Sequence, residues 1–227
     1  MINDVIVKNP CEYVRGLKLP ETDPDPFSVD EIHLILDWME KRHPDKVLFY
    51  AIGFYSGMRT GEIVGLKWSA IDFRKRKIKV SRQHTCGEQV ETTKTNRSRV
   101  IDIIPQLMPY IERHKQYTFM KSEFLFVTQM NKPYTKADDF SRYYYKDCLK
   151  ALGIRFRTLY HMRHTFACLM LNANMPPNWI TKVMLGHKNT KLLFEVYGNY
   201  WDKEFRPPDE CFDFLNISFD KDVVGLR

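Results

Sequence analysis

No apolar run in this sequence approaches the roughly 18 residues that a membrane-spanning helix needs, and the N-terminus lacks the apolar core of a secretion signal. The five cysteines are odd in number and scattered without C-x-x-C spacing. That pattern excludes a disulfide framework and a zinc site, and it points to a reducing compartment. No internal repeat and no low-complexity segment is visible. Acidic residues are in deficit, 28 against 35 lysines and arginines, which leaves a net charge of +7. The surplus favours a polyanionic partner, although ribosomal and membrane-surface proteins share it. At 227 residues and 44% hydrophobic composition, the chain can bury one sizeable core and carry a small appendage.

Residues 1–27 hold several prolines and few apolar positions, and read as a linker. Ser28 then opens S-x-x-E with Glu31, a capping box, and Ile32, Ile35, Leu36 and Met39 follow at helical spacing. A second helix is expected from about Asp45 to Ser56, stopped by Gly57, which places Arg59 at a helix-to-helix junction. From Asp72 to Ile104 the pattern changes to period two, with Ile78, Val80, Val100, Ile101 and Ile103. A small antiparallel sheet is the simplest reading, with a turn in the run Thr95-Asn96-Arg97-Ser98 and Lys94 on the hairpin edge. Helical patterns resume at Leu107, Tyr110, Ile111 and His114, and again from Thr135 through Phe140, Tyr143, Tyr144 and Leu149 to a stop at Gly153. The segment Asn172 to Pro177 breaks the next helix, and Asn178 is expected to cap a short one ending at Leu185-Gly186. Residues 201–227 form a tail with a short apolar-faced helix expected around Phe212 and Leu215. The fold class is therefore α+β, mainly helical, with a small antiparallel three-stranded sheet at one edge.

The stretch from Thr158 to Tyr197 concentrates chemistry. Arginine offers a planar fork of donors matched to phosphate oxygens, and a tyrosine oxygen can attack phosphorus and be held as a phosphodiester. Taken alone, Arg163 reads equally well as half of a structural ion pair, and Arg59 as a surface residue. His161 and His164 at i and i+3 lack further ligands at zinc spacing, and Asp138-Asp139 is a solvated helix turn more simply than a magnesium site. The densest cationic run, Lys75, Arg76, Lys77, Lys79 and Arg82, with Arg97 and Arg99, suits contacts to a nucleic-acid backbone.

Arg163-His164-Thr165-Phe166-Ala167, Leu185-Gly186-His187 and Tyr197, preceded by Ser56-Gly57-Met58-Arg59-Thr60-Gly61-Glu62-Ile63, resemble in order and spacing the signature of the tyrosine recombinase or phage integrase family. The resemblance covers roughly Phe27 to Tyr200. It implies a catalytic domain at 28–200 that cleaves and rejoins DNA by transesterification at a phosphate, with no metal or nucleotide cofactor. It also implies a separate N-terminal DNA-binding domain joined through the linker. Arg59 and Arg163 would clamp the scissile phosphate, Lys94 would protonate the leaving 5′ oxygen, and His187 would contact the phosphate or move a proton. Tyr197, ten residues after His187, would be the nucleophile, with Tyr200 a poor second choice. The partners implied are double-stranded DNA at attachment or recombination sites, three further copies in a tetramer, and a DNA-bending accessory protein, in a bacterial host's cytoplasm and at its nucleoid.

One departure stands out. The family's second box reads H-x-x-R, but three residues before Arg163 stands Tyr160, with a histidine at His161 instead. Tyr160 is expected to fill the family's histidine position as a phosphate-oxygen donor while His161 points elsewhere, since neighbours on a helix differ by about 100°. Three rival readings remain: a degenerate DNA-binding module of the same fold, a metal-dependent nuclease, and a type IB topoisomerase, which shares the tyrosine and arginine chemistry.

Overall fold

The computed structural model describes residues 24–80, 98–187 and 189–198. Lys94, Arg82, Arg97, Tyr200 and the tail at 201–227 lie outside the described residues, as do residues 1–23 of the expected linker. Helix α1, Val29–Arg42, starts where the sequence places it: the Ser28 hydroxyl accepts from the Glu31 N–H (3.1 Å), and the Ser28 N–H donates to the Glu31 carboxylate (2.9 Å). It buries Ile32, Ile35, Leu36 and Met39, one stripe of a 3.6-residue period.

Helix α2, Val47–Ser56, is apolar almost all round and runs through the middle of the core. Phe49 stacks on Phe140 with ring centroids 3.9 Å apart, and Tyr50 stacks on Tyr145 while its hydroxyl donates to the Phe140 carbonyl (2.9 Å). Gly57 ends this helix at φ +63°, and a Cβ there would meet the Phe166 ring at 2.6 Å and Leu185 at 2.8 Å. The position therefore requires glycine twice, for its left-handed backbone and for close packing.

A short helix α3, Thr60–Val64, leads through a 3-10 turn, Trp68–Ala70, into the sheet: β1, Ile71–Asp72; β2, Lys77–Val80; β3, Arg99–Asp102. Among the described residues these are antiparallel in the order β1-β2-β3, with Ile78 opposite Ile101 on the buried face and Lys79 opposite Val100 on the exposed one. Helix α4, Met108–Thr118, follows.

The helix expected from Thr135 starts later, as α5 at Asp138–Phe140. Its predecessors are committed elsewhere: Val127 and Pro133 form an antiparallel bridge, and the Tyr134 ring is buried against Phe140. The helical path continues as a π-helical segment, Ser141–Tyr145, and then α6, Lys146–Ala151. Tyr143, expected to pack, projects into solvent.

Helix α7, His161–Asn172, packs on α2, and a π-helical segment, Trp179–Leu185, precedes α8, Lys191–Tyr197. Asn178 makes no side-chain cap; its own backbone is helical, and the Pro176 carbonyl receives the N–H groups of Trp179 and Ile180. The proline pair starts this segment two residues earlier than expected.

Residues 24–27, the end of the expected linker, are packed. Phe27 is buried, its N–H donates to the Thr165 hydroxyl on α7 (2.9 Å), and Arg157 lies over its ring while reaching Asp25 and Glu31.

Candidate active site

Three chain segments converge around Arg163: the end of α2, the first turn of α7 and the end of the second π-helical segment. Arg163 is 2% exposed. Its Nη1 donates to the Gly57 carbonyl (2.7 Å), and its Nη2 donates to the Leu185 carbonyl (2.8 Å) and lies 2.8 Å from His187 Nε2. Both carbonyls close helices, where backbone dipoles leave partial negative charge. No carboxylate is hydrogen-bonded to Arg163 among the described residues, so the ion-pair reading open in the sequence is not what the structure builds. Burial, reinforced by the Arg59 charge, pushes the guanidinium down to about 10, still fully protonated at neutral pH. A buried cation held only by dipoles is incompletely compensated and favours an anion.

His187 follows Gly186, whose φ of +71° turns the chain out of the helix. Burial, then the charges of Arg163, Arg59 and Arg99, push its imidazole down to about 4. The ring is neutral at pH 7, its Nε2 accepts from Arg163, and the proton sits on Nδ1, which has no hydrogen-bond partner among the described residues. Arg163 Nε is a second buried donor without an acceptor among the described residues.

Arg59 precedes α3 and is set by Glu62, three residues on. The buried Glu62 carboxylate accepts from the Arg59 N–H (2.9 Å) and Nη1 (3.2 Å) and from both Arg99 Nη atoms (2.8 and 2.6 Å). Burial drives its carboxyl upward, but the Arg99 and Arg59 bonds prevail and hold it below the ordinary range. Arg99, expected on the DNA backbone, is turned inward instead: its Nε donates to the Met184 carbonyl (3.1 Å), and Gly186 leaves room for its side chain, which a Cβ would meet at 2.8 Å.

Glu62→Gln should therefore lower stability by about 3 kcal/mol, the scale of breaking a buried charge pair, read as a shift in the urea midpoint. Because folding depresses this carboxyl, its contribution is present above the ordinary carboxylate range and lost as pH falls through the depressed value. An unchanged midpoint at neutral pH would show that the triad of Arg59, Glu62 and Arg99 is not a structural unit.

Tyr197, at the end of α8, is 3% exposed, and its hydroxyl lies 2.8 Å from His164 Nδ1. Burial, and next the neighbouring Tyr160, push the phenol well above its usual value, while Arg163 draws it back. Burial, then His161 and Arg163, push His164 down to about 4, so the neutral ring accepts and the phenol donates. Tyr160 is half exposed, with its ring edge-on to His164 at 4.7 Å, whereas His161 Nδ1 pairs with the Thr158 hydroxyl (3.0 Å).

The sequence reading thus places Arg59, Arg163, His187, Tyr197 and Tyr160 in one neighbourhood. It assigned no role in the cluster to His164 or Glu62, and it placed Arg99 on the DNA backbone, not beside Glu62. Glu62 carries a signal in its three-residue spacing from Arg59; the His164 pairing, across 33 residues, carries none. Of the cations on the sheet, Lys77 is tied to Asp102 (2.9 Å), Arg76 sits in the β1–β2 turn at φ +52°, and Lys75 and Lys79 are exposed.

Comparison with known proteins follows this geometry. The chain is 30% identical over 223 residues to prophage integrase IntR of Escherichia coli K12, covering 87% of this chain and 53% of that protein. It is 28% identical over 229 residues to the ICEBs1 integrase of Bacillus subtilis 168, covering 93% of this chain and 61% of the relative. The chain thus spans about half to three fifths of the curated relatives it matches. In fold it is similar to the Tn1549 transposon integrase in complex with circular intermediate DNA, with a TM-score of 0.67 and 21% identity over 88% of this chain and 69% of that one. It is also similar to lambda integrase, solved as a tetramer bound to a Holliday junction, with a TM-score of 0.58 and 19% identity over 76% and 49% of the two chains. The model of the phage integrase family matches residues 26–203, the span that holds every side chain of this cluster, and the chain belongs to that family.

Proposed function

We propose that residues 28–200 are the catalytic domain of a site-specific DNA recombinase, an integrase that cleaves and rejoins DNA through a 3′-phosphotyrosine intermediate. The observation that carries this reading is the buried Arg163, fixed by two helix-end carbonyls with no carboxylate partner. It is a rigid positive site suited to a phosphodiester. Arg59 and Arg163 neutralise charge on the non-bridging oxygens as it grows in the transition state, the stage at which preorganised donors accelerate a reaction. The Nδ1–H of His187 supplies a further donor, and Tyr160 extends the same face. Tyr197 attacks phosphorus, Lys94 protonates the departing 5′ oxygen, and the freed hydroxyl later attacks the phosphotyrosine, so strands rejoin without external energy.

Lys75, Arg76, Lys77 and Lys79 would hold the duplex backbone, making affinity fall steeply with salt. The tetramer of lambda integrase on a Holliday junction supports a multimer on paired sites. A DNA-bending partner and a cytoplasmic location complete the reading.

The test is covalent capture. Protein incubated in EDTA with supercoiled DNA carrying the junctions of its own element should form a denaturant-resistant adduct, and mass mapping should place the nucleotide on Tyr197. A protein that binds this DNA and forms no adduct would be a degenerate binding module; cutting abolished by EDTA would indicate a metal-dependent nuclease. A nucleotide on Tyr200 would move the nucleophile. Relaxation without exchange between paired sites would indicate a topoisomerase.

A further inference from the structure

The nucleophile reading leaves the phenol proton without a destination. A phenol pushed upward by burial is a poor nucleophile unless a group in contact with it takes the proton as the new bond forms. The neighbouring Tyr160 is itself a phenol, and a phenol does not accept protons near neutral pH.

The group that touches the Tyr197 oxygen is His164, whose Nδ1 lies 2.8 Å away. Positions 160 and 164 are one helical turn apart and share a face of α7. The Tyr160 ring stands edge-on to the His164 ring at 4.7 Å with planes at 79°, and the His161 ring closes another side at 5.7 Å. These contacts limit rotation of the imidazole, so its Nδ1 lone pair stays aimed at the hydroxyl of α8. The charged and titratable groups facing it are Tyr160, His161 and Arg163 from α7 and its N-terminus, and Tyr197 from α8. Among the described residues none of these is a carboxylate, so no fixed negative charge there protonates the ring beforehand. The phosphodiester itself brings the negative charge that stabilises an imidazolium.

Resting on the recombinase reading, we propose that His164, the residue in contact with the Tyr197 hydroxyl, is its catalytic proton acceptor. In cleavage the Tyr197 oxygen–phosphorus bond forms, the bond from phosphorus to the 5′ oxygen breaks, and the phenol proton passes to His164 Nδ1. The 5′ oxygen takes a proton from water. In rejoining, the 5′ hydroxyl attacks, the tyrosine oxygen leaves, and His164 returns its proton to it. No electron transfer is involved.

The experiment measures single-turnover adduct formation on duplex DNA carrying the element's junction, for wild type, His164→Ala and His164→Asn. Asparagine places Oδ1 where Nδ1 stood; it accepts the hydrogen bond but takes no proton. An adduct from the wild type establishes the recombinase reading on its own; its absence fails that reading, independently of His164. Given the wild-type adduct, His164→Ala should react about 10²-fold or more slowly, with DNA affinity within twofold, and His164→Asn should remain at least about tenfold slow.

Asparagine restoring the wild-type rate would reduce His164 to positioning and overturn the proposal, as would an alanine variant within threefold of wild type. If either variant fails to fold, nitrogen NMR of histidine-labelled wild type decides. The His164 Nδ1 resonance should be that of an unprotonated acceptor and should shift in Tyr197→Phe. A protonated Nδ1, or no shift, overturns the assignment.

Discussion

Tyr197→Phe should abolish covalent adduct formation while leaving the fold and the DNA affinity intact. The ring is 3% exposed on α8, and phenylalanine preserves its packing against α7. The substitution removes the hydroxyl and its bond to His164 Nδ1. That bond contributes about 1 kcal/mol, and the neutral acceptor left behind adds a comparable desolvation cost. A fall in melting temperature of about 2–4 °C per kcal/mol is therefore expected for a domain of this size. The chemistry has no such tolerance, because a phenyl ring has no atom to form the phosphodiester. Gel shift and a denaturing gel on the same samples separate the two effects. A residual adduct in the purified variant would show that another tyrosine reacts.

Arg163→Lys should keep the charge and still slow adduct formation by about 10³-fold, the scale of removing an anion-stabilising donor. A guanidinium spans the two carbonyls because its nitrogens are fixed in one plane. Nη1 reaches Gly57 while Nη2 reaches Leu185 and His187. A single ammonium on a flexible stem cannot hold all three. The variant leaves at least one buried carbonyl without a donor and frees His187 Nε2 from its fixed role. A stability loss of about 1–3 kcal/mol accompanies each orphaned group, so calorimetry should show destabilisation alongside the kinetic loss. A rate within tenfold of wild type would mean that charge, and not the fork, does the work.

Much of this architecture was legible. The capping box of Ser28 and Glu31, the stop at Gly57 and the break after Asn172 are local rules, and the structure follows them. The signature residues also meet in space, since each lies on a short element whose boundary glycine or proline is plain in the sequence. Elsewhere, tertiary contacts overrode local signals. The Val127–Pro133 bridge and the buried Tyr134 ring delay the helix expected from Thr135, and the proline pair takes over the start assigned to Asn178. The bond between His164 and Tyr197 and the inward turn of Arg99 depend on side chains from distant segments, and no periodicity or spacing encodes such pairings.

The grip of Arg163 on the Gly57 carbonyl joins residues 106 positions apart, and its second anchor, Leu185, comes 22 positions later. A ribosome adding about 5–20 residues per second therefore exposes Arg59 and the α2 terminus several seconds before the helical segments that complete the pocket exist. Until Leu185 and His187 have left the exit tunnel, the nascent chain holds no assembled cationic pocket, and Tyr197 is the last of these groups to appear. Synthesis order therefore assembles the Arg163 pocket late, and a chain terminated anywhere before α8 lacks Tyr197 and its contact with His164 altogether.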